Sequence, residues 1–194
     1  MLKKLSITTV ASLLAGTAAF AGSMQLPAEE PTVAYAAAPA ATPDWTGGYF
    51  GAQIGYADVG TSVAGLEGDG VIGGIVAGYD FDMGNWVVGV GIDYDWADVD
   101  IAGAAQLENV LRVKARGGYK MGNGLLYATG GYANASTDTL GDSDGYFIGA
   151  GYEHRLTSAF NIGAEVLYHD FSDFNGSGID VDATTIQLRA TYRF

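Results

Sequence analysis

The chain has 194 residues, 48% of them hydrophobic and only 16% charged, with 30 glycines, 12 tyrosines and no cysteine. That length fits one domain, and the lack of cysteine excludes disulfides, thiolate metal sites and cysteine nucleophiles. With 9 Lys+Arg against 22 Asp+Glu, a net charge of −13, the surface repels nucleic acid instead of binding it.

The first residues have the three parts of an export signal. Met1 to Lys4 carry two positive charges, Leu5 to Phe20 is mildly apolar, and Ala19-Phe20-Ala21 offers small residues at the cleavage positions. The apolar stretch is short and rich in Ala, Ser and Thr, which separates it from a membrane anchor. Residues 1–21 therefore read as a signal peptide cut after Ala21. Cleavage removes Lys3 and Lys4, leaving 7 Lys+Arg against 22 Asp+Glu, a net −15. Residues 22–44 hold all four prolines, Pro27, Pro31, Pro39 and Pro43, among many alanines, and read as a periplasmic linker. Past residue 44 there is no proline, which suits uninterrupted strand pairing. No apolar run in this region approaches the ~20 residues of a membrane helix.

From Trp45 onward the sequence predicts eight strands, at 46–57, 71–82, 85–98, 107–121, 124–137, 145–157, 160–171 and 183–194. Each reaches the roughly 9–11 residues that cross a bilayer core as a tilted strand. Three connections, Asp82-Met83-Gly84-Asn85, Met121-Gly122-Asn123-Gly124 and Thr157-Ser158-Ala159-Phe160, are tight turns, two of them supplied with the Gly and Asn that tolerate positive φ. The others, near 58–70, 98–106, 138–144 and 172–182, are longer and acidic. Short turns at one end and long loops at the other is the layout of a membrane barrel, with the short turns periplasmic.

Several strands alternate with period 2. In the second, Val71, Ile75, Ala77, Tyr79 and Phe81 oppose Gly74, Gly78, Asp80 and Asp82. In the third, Trp86, Val88, Val90, Ile92, Tyr94 and Trp96 oppose Gly89, Gly91, Asp93 and Asp95. In the fourth, Leu111, Val113, Ala115 and Tyr119 oppose Arg112, Lys114, Arg116 and Lys120. In the eighth, Ile186, Leu188, Ala190, Tyr192 and Phe194 oppose Gln187, Arg189, Thr191 and Arg193. The fifth is ambiguous, with Leu and Tyr on both parities. Alternation alone also fits a soluble barrel with its apolar face inward. Three features favour the inverted arrangement. Aromatics end the apolar faces as interfacial girdles would: Trp86, Trp96, Tyr79, Phe81, Tyr192 and Phe194. The polar face is rich in glycine, which eases packing inside a narrow barrel. The sequence ends at Phe194 within the last strand. The expectation is an all-β, eight-stranded antiparallel up-and-down transmembrane β-barrel over residues 45–194.

Trp45-Thr46-Gly47-Gly48-Tyr49-Phe50-Gly51, the Gly-Tyr steps at Gly78-Tyr79, Gly118-Tyr119, Gly131-Tyr132 and Gly151-Tyr152, and the closing Ala190-Thr191-Tyr192-Arg193-Phe194 carry a family resemblance. In this order they resemble the porin-like outer-membrane β-barrel domain of alphaproteobacteria, the small surface-antigen type akin to the OmpA-like transmembrane barrel. The resemblance covers about residues 45–194. It implies a Gram-negative outer-membrane location but no single activity, since members include porins, surface antigens and envelope-stabilising proteins. It also implies delivery by the barrel-assembly machinery, which reads a C-terminal strand ending in an aromatic, here Phe194. The peptidoglycan-binding domain that follows the barrel in full-length OmpA proteins has no counterpart in this sequence.

The inward parity collects Asp80, Asp93, Asp95, Arg112, Lys114, Arg116, Glu153, Arg155, Glu165, Gln187 and Arg189 as a lumen polar network. An eight-stranded barrel is just wide enough for side chains to fill it, so a salt-bridged plug is expected, with a narrow ion path as the alternative. Catalysis has one candidate cluster, His169-Asp170-Phe171-Ser172 with Glu165. His169 and Glu165 share a strand face and Ser172 takes the other, which is the wrong geometry for a Ser–His pair. No enzyme, cofactor or metal site is expected, two separated histidines making only a weak zinc site. The acidic loops (Glu67, Asp69; Asp98, Asp100; Asp138, Asp142, Asp144; Asp173, Asp180, Asp182) lack EF-hand spacing. They read as solvated tips or as loose divalent-cation bridges to lipopolysaccharide phosphates. The expected role is a monomeric structural and surface-exposed barrel whose partners are outer-membrane lipid and lipopolysaccharide. A porin-like channel is the alternative, and a lipid-modifying enzyme a third reading.

Overall fold

The computed structural model describes residues 42–63, 65, 67–101, 105–138, 141–172 and 180–194. The expected signal peptide, most of the expected linker and Asp173 lie outside the described residues. Eight strands follow one another: β1 (Gly47–Thr61), β2 (Gly68–Asp82), β3 (Trp86–Ile101), β4 (Ala105–Met121), β5 (Gly124–Thr137), β6 (Gly141–Arg155), β7 (Phe160–Phe171) and β8 (Val181–Arg193). Each pairs antiparallel with the next, and β8 closes on β1 from Tyr49↔Arg193 to Thr61↔Val181. Closure removes the sheet edges that would expose unpaired backbone to lipid.

The inner ends of the strands match the tight turns. Gly84 and Gly122 adopt φ of 87° and 63°, the left-handed region that admits glycine without strain. The third turn works without glycine. The Thr157 hydroxyl oxygen accepts from the backbone N–H of Ala159 at 3.3 Å and of Phe160 at 3.0 Å. The outer ends depart from the sequence reading. β1 runs four residues past 57, β2 starts three before 71, and β3, β4, β6 and β8 are likewise longer at that end. Asp58, Asp69, Asp98, Asp100, Asp142, Asp144 and Asp182 therefore lie in paired strands and not in loops. Asp and Gly are poor strand formers, so composition suggested loops, but a neighbouring ladder already in register extends pairing through them.

The faces are inverted relative to a soluble barrel. Ile54 and Leu188 are 60% and 63% exposed, whereas Asp93 and Arg112 are 0% and 1% exposed. In the ambiguous β5, Leu125, Tyr127, Ala133 and Ala135 turn inward, and Leu126 and Tyr132 turn outward. Outward aromatics form two belts. Near the short turns, Tyr79 meets Phe81 at 4.9 Å between centroids and Trp86 meets Tyr119 at 5.2 Å. Across the closing seam, Tyr192 touches both Phe160 (5.3 Å) and Phe50 (5.7 Å), and Phe50 reaches Phe194 at 6.3 Å. Towards the loops, Tyr94 packs on Trp96 at 5.1 Å and Tyr132 on Tyr146 at 6.5 Å. Trp86 and Trp96 share one strand face ten residues apart, about 33 Å of strand. A tilt of ~40° reduces this to roughly 25 Å, the height of a membrane barrel's apolar band.

Inward glycines make room for lumen side chains. A Cβ on Gly74 would lie 2.0 Å from the Tyr94 carbonyl oxygen and 2.4 Å from Asp95 Oδ1. The first is backbone and cannot give way. Gly74→Val is expected to lower the stability of the folded barrel by about 1–3 kcal/mol through overpacking, read from the urea midpoint in lipid vesicles. An unchanged midpoint would show that β2 and β3 can separate freely.

Candidate functional site

The lumen is built from the inward face of every strand. Its charges are distributed by wall. The bases come from β4 (Arg112, Lys114, Arg116) and β8 (Arg189, Arg193), which are four strands apart in an eight-stranded ring and so face one another. The acids come from the walls between: Asp80 on β2, Asp93 and Asp95 on β3, Glu153 on β6 and Glu165 on β7. Five carboxylates thus meet five cations, all buried.

Nearest the short turns, Arg116 Nε donates to Asp80 Oδ1 at 2.8 Å and its Nη1 to Glu153 Oε2 at 2.9 Å. Arg193 also pairs with Asp80, and the Thr191 hydroxyl donates to Glu153 Oε1 at 3.0 Å. The Arg116 guanidinium lies 4.6 Å from the Tyr49 ring centre and 5.2 Å from that of Tyr127. In the middle, Lys114 Nζ bridges Asp93 Oδ2 (2.6 Å) and Glu165 Oε1 (3.0 Å). Glu165 Oε2 further accepts from Arg189 Nη1 at 3.0 Å and from the Tyr127 hydroxyl at 2.8 Å. Above them Asp95 accepts from Gln53 Nε2 and Gln187 Nε2, both at 2.9 Å, and pairs with Arg112. Arg112 Nη1 lies 3.2 Å from His169 Nε2, while His169 Nδ1 is 3.3 Å from the Ala183 carbonyl. That geometry fits a neutral imidazole that donates from Nδ1 and accepts at Nε2. Such pairing offsets the cost of burying ions, which is large for any ion left alone.

Arg155 stands apart from the carboxylates. Its guanidinium lies 5.0 Å from the Trp45 ring centre, and that of Arg193 lies 4.9 Å from it. Trp45 is buried with Val87, Leu125 and Tyr127 across the short-turn mouth. Its backbone N–H donates to Asp82 Oδ2 at 2.9 Å, and its carbonyl accepts from Arg193. Lys120 Nζ donates to the same Asp82 oxygen at 2.7 Å and to the Pro43 carbonyl at 3.3 Å. Outside the barrel, the Thr46 N–H and hydroxyl hold the Asp44 carboxyl below its ordinary pKa.

On the loop side of the ion pairs the lumen turns mainly apolar, with the buried His169, Thr185 and Ser143 interleaved. Ala57 and Val59 (β1), Ile72 (β2), Val99 (β3), Leu107 and Val110 (β4), Ala133 and Ala135 (β5), Phe147 (β6), and Leu167 and Phe171 (β7) form one buried cluster. Val181 and Ala183 of β8 pack against it. Sequence reasoning missed this layer, and also Tyr49, Gln53, Tyr127 and Trp45. Their signal was parity: each shares the inward phase with neighbouring charged residues or glycines.

The catalytic candidates are dispersed. His169 and Glu165 point inward, while the exposed Ser172 donates from Oγ to Asp170 Oδ1 at 3.0 Å. His154 lies on the other face of the wall, its Nδ1 3.2 Å from the Tyr152 hydroxyl. Among the described residues no three His, Asp or Glu side chains gather as a metal site.

Residues 31–194 match the family model described as outer membrane protein beta-barrel domain. The chain is 30% identical over 199 residues to the 25 kDa outer-membrane immunogenic protein of Brucella abortus, covering 96% of this chain and 91% of that one. It is 29% identical over 244 residues to the 31 kDa outer-membrane immunogenic protein of Brucella melitensis, covering both chains fully. A 22 kDa outer membrane protein of Rhizobium leguminosarum is 31% identical over 150 residues, with 72% and 69% of the two chains covered. In fold it is similar to the crystal structure of Neisserial surface protein A, with TM-score 0.57 and 17% identity over 77% of this chain and 98% of that one. The chain belongs to the outer membrane protein beta-barrel domain family and is a Gram-negative outer-membrane β-barrel.

Proposed function

We propose that this barrel is a structural, surface-exposed element of the outer membrane, supporting envelope integrity and presenting its loop end to the outside, and that it is not an enzyme. The observation that carries this reading is the matched lumen: five buried acids against five buried bases, each held by a named partner. Such an interior has its charges spent on itself. The names of the Brucella relatives, both immunogenic outer-membrane proteins, support surface exposure.

Outer-membrane lipid and lipopolysaccharide are its proposed partners, and the barrel-assembly machinery acts through the strand ending at Phe194; the barrel works as a monomer. The outer rim supports the lipopolysaccharide partnership. Asp58 stands opposite Asp69 across β1 and β2, and Asp170 opposite Asp182 across β7 and β8, all four exposed. Like charges directly opposite repel, and a divalent cation shared with lipid phosphates relieves that repulsion.

Deletion of the gene is expected to sensitise cells to detergent, with the purified barrel silent in planar bilayers. In lipopolysaccharide bilayers, magnesium is expected to raise the unfolding temperature, and the Asp58→Asn/Asp69→Asn/Asp170→Asn/Asp182→Asn variant to lose that increment. Steady wild-type conductance altered by Arg112→Gln or Glu165→Gln would replace this reading with the channel. A lipid A profile altered by His169→Ala would replace it with the enzyme.

A further inference from the structure

The lumen has two layers of different chemistry, and they do not seal equally well. In the ionic layer each charge has more than one partner within reach. Lys114 holds both Asp93 and Glu165, and Arg189 touches the same two carboxylates at 3.5 and 3.0 Å. Partners can exchange there, and the same oxygens and nitrogens can stand in for the hydration shell of a passing ion. The layer towards the loops offers far fewer substitutes: its buried polar side chains are the uncharged Thr185, Ser143 and Thr137 and the His169 ring packed against Phe147. Val59, Ile72, Val99, Phe147, Leu167 and Phe171 are all buried in it, and every one of the eight strands contributes at least one apolar side chain. An ion entering that ring loses its water with little compensation and no counter-charge of its own, the physics by which hydrophobic constrictions close channels.

The ring is tight because β6 is bare where β7 is bulky. A Cβ on Gly145 would lie 2.4 Å from Phe171 Cδ1, and one on Gly149 2.5 Å from Leu167 Cδ2. Gly149 pairs directly with Leu167 in the register. Each large side chain therefore lies over a glycine of the neighbouring strand, and Phe147 packs against the His169 ring at 5.5 Å between centroids.

We propose that this apolar ring, and not the ion-pair network, is the permeability seal of the barrel. The inference rests on the closed-barrel reading above and adds where the closure lies. It makes the network a structural element whose charges can be rearranged without opening a path.

The test is planar-bilayer conductance of the full mature chain. Three proteins are compared: wild type, the ring variant Phe147→Ala/Leu167→Ala/Phe171→Ala, and the network variant Arg112→Gln/Glu165→Gln. Folding of each is checked by the mobility difference between boiled and unboiled samples. Wild type and the network variant are expected to be silent, and the ring variant to show discrete conductance steps. A folded but silent ring variant, or steps from the network variant alone, overturns the proposal while leaving the closed barrel intact. Steps from wild type overturn the closed reading itself. Should the triple variant fail to fold, Leu167→Ala alone decides by the same criterion, since it opens the ring opposite the bare Gly149.

Discussion

Glu165→Leu is expected to destabilise the barrel by about 3–5 kcal/mol, the cost of leaving buried charge without its partner. Glu165 receives Lys114, Arg189 and the Tyr127 hydroxyl within 3.0 Å. With the carboxylate gone, five buried cations face four carboxylates, and Asp93 alone must serve both Lys114 and Arg189. The double variant Glu165→Leu/Lys114→Met restores the balance at four against four. It is expected to recover more than half of the loss, because replacing a buried pair by apolar groups of similar volume is often neutral. Urea unfolding from lipid vesicles measures both. A double variant as unstable as the sum of its two single variants would show that the residues act independently and that charge matching is not what holds the lumen together.

The barrel itself was legible because a membrane β-protein announces itself through period 2. Val88 to Trp96 and Arg112 to Arg116 alternate without a break, and the structure places one phase outside and the other inside. Legibility failed where chemistry and geometry part. The acids at the outer strand ends read as loops because Asp disfavours strands, yet the ladder carries pairing through Asp58, Asp69 and Asp144. The apolar ring was hidden by a tacit assumption that an inward face is polar along its whole length. Phe147, Leu167 and Phe171 have the inward parity of Glu153 and Glu165, but their apolar character pointed the other way. The network partners depend on strand stagger, which no single strand encodes. Asp93 meets Lys114 only because β3 and β4 pair Asp93 with Arg112 and Gly91 with Lys114, placing the lysine one inward step away.

Trp45→Ala is expected to cost about 3–5 kcal/mol, the range for truncating a large buried aromatic. The indole has no exposed surface, and it spans the mouth over Val87, Leu125 and Tyr127. The guanidinium groups of Arg155 and Arg193 lie near its ring, and such contacts are worth up to about 2 kcal/mol when desolvated. The backbone bonds to Asp82 and Arg193 do not involve the side chain, so the loss reports the ring alone. The indole N–H has no hydrogen-bond partner among the described residues. Trp45→Phe therefore forfeits no hydrogen bond and should cost less than half as much as alanine. Trp86 and Trp96 face outward and remain as fluorescent reporters of unfolding in both variants. If alanine costs under 1 kcal/mol, the mouth is held by residues 43–46 through their backbone bonds, and the ring only covers it. If phenylalanine costs as much as alanine, the unpaired N–H has a partner in the folded protein, and a bound water in the mouth is the first to look for.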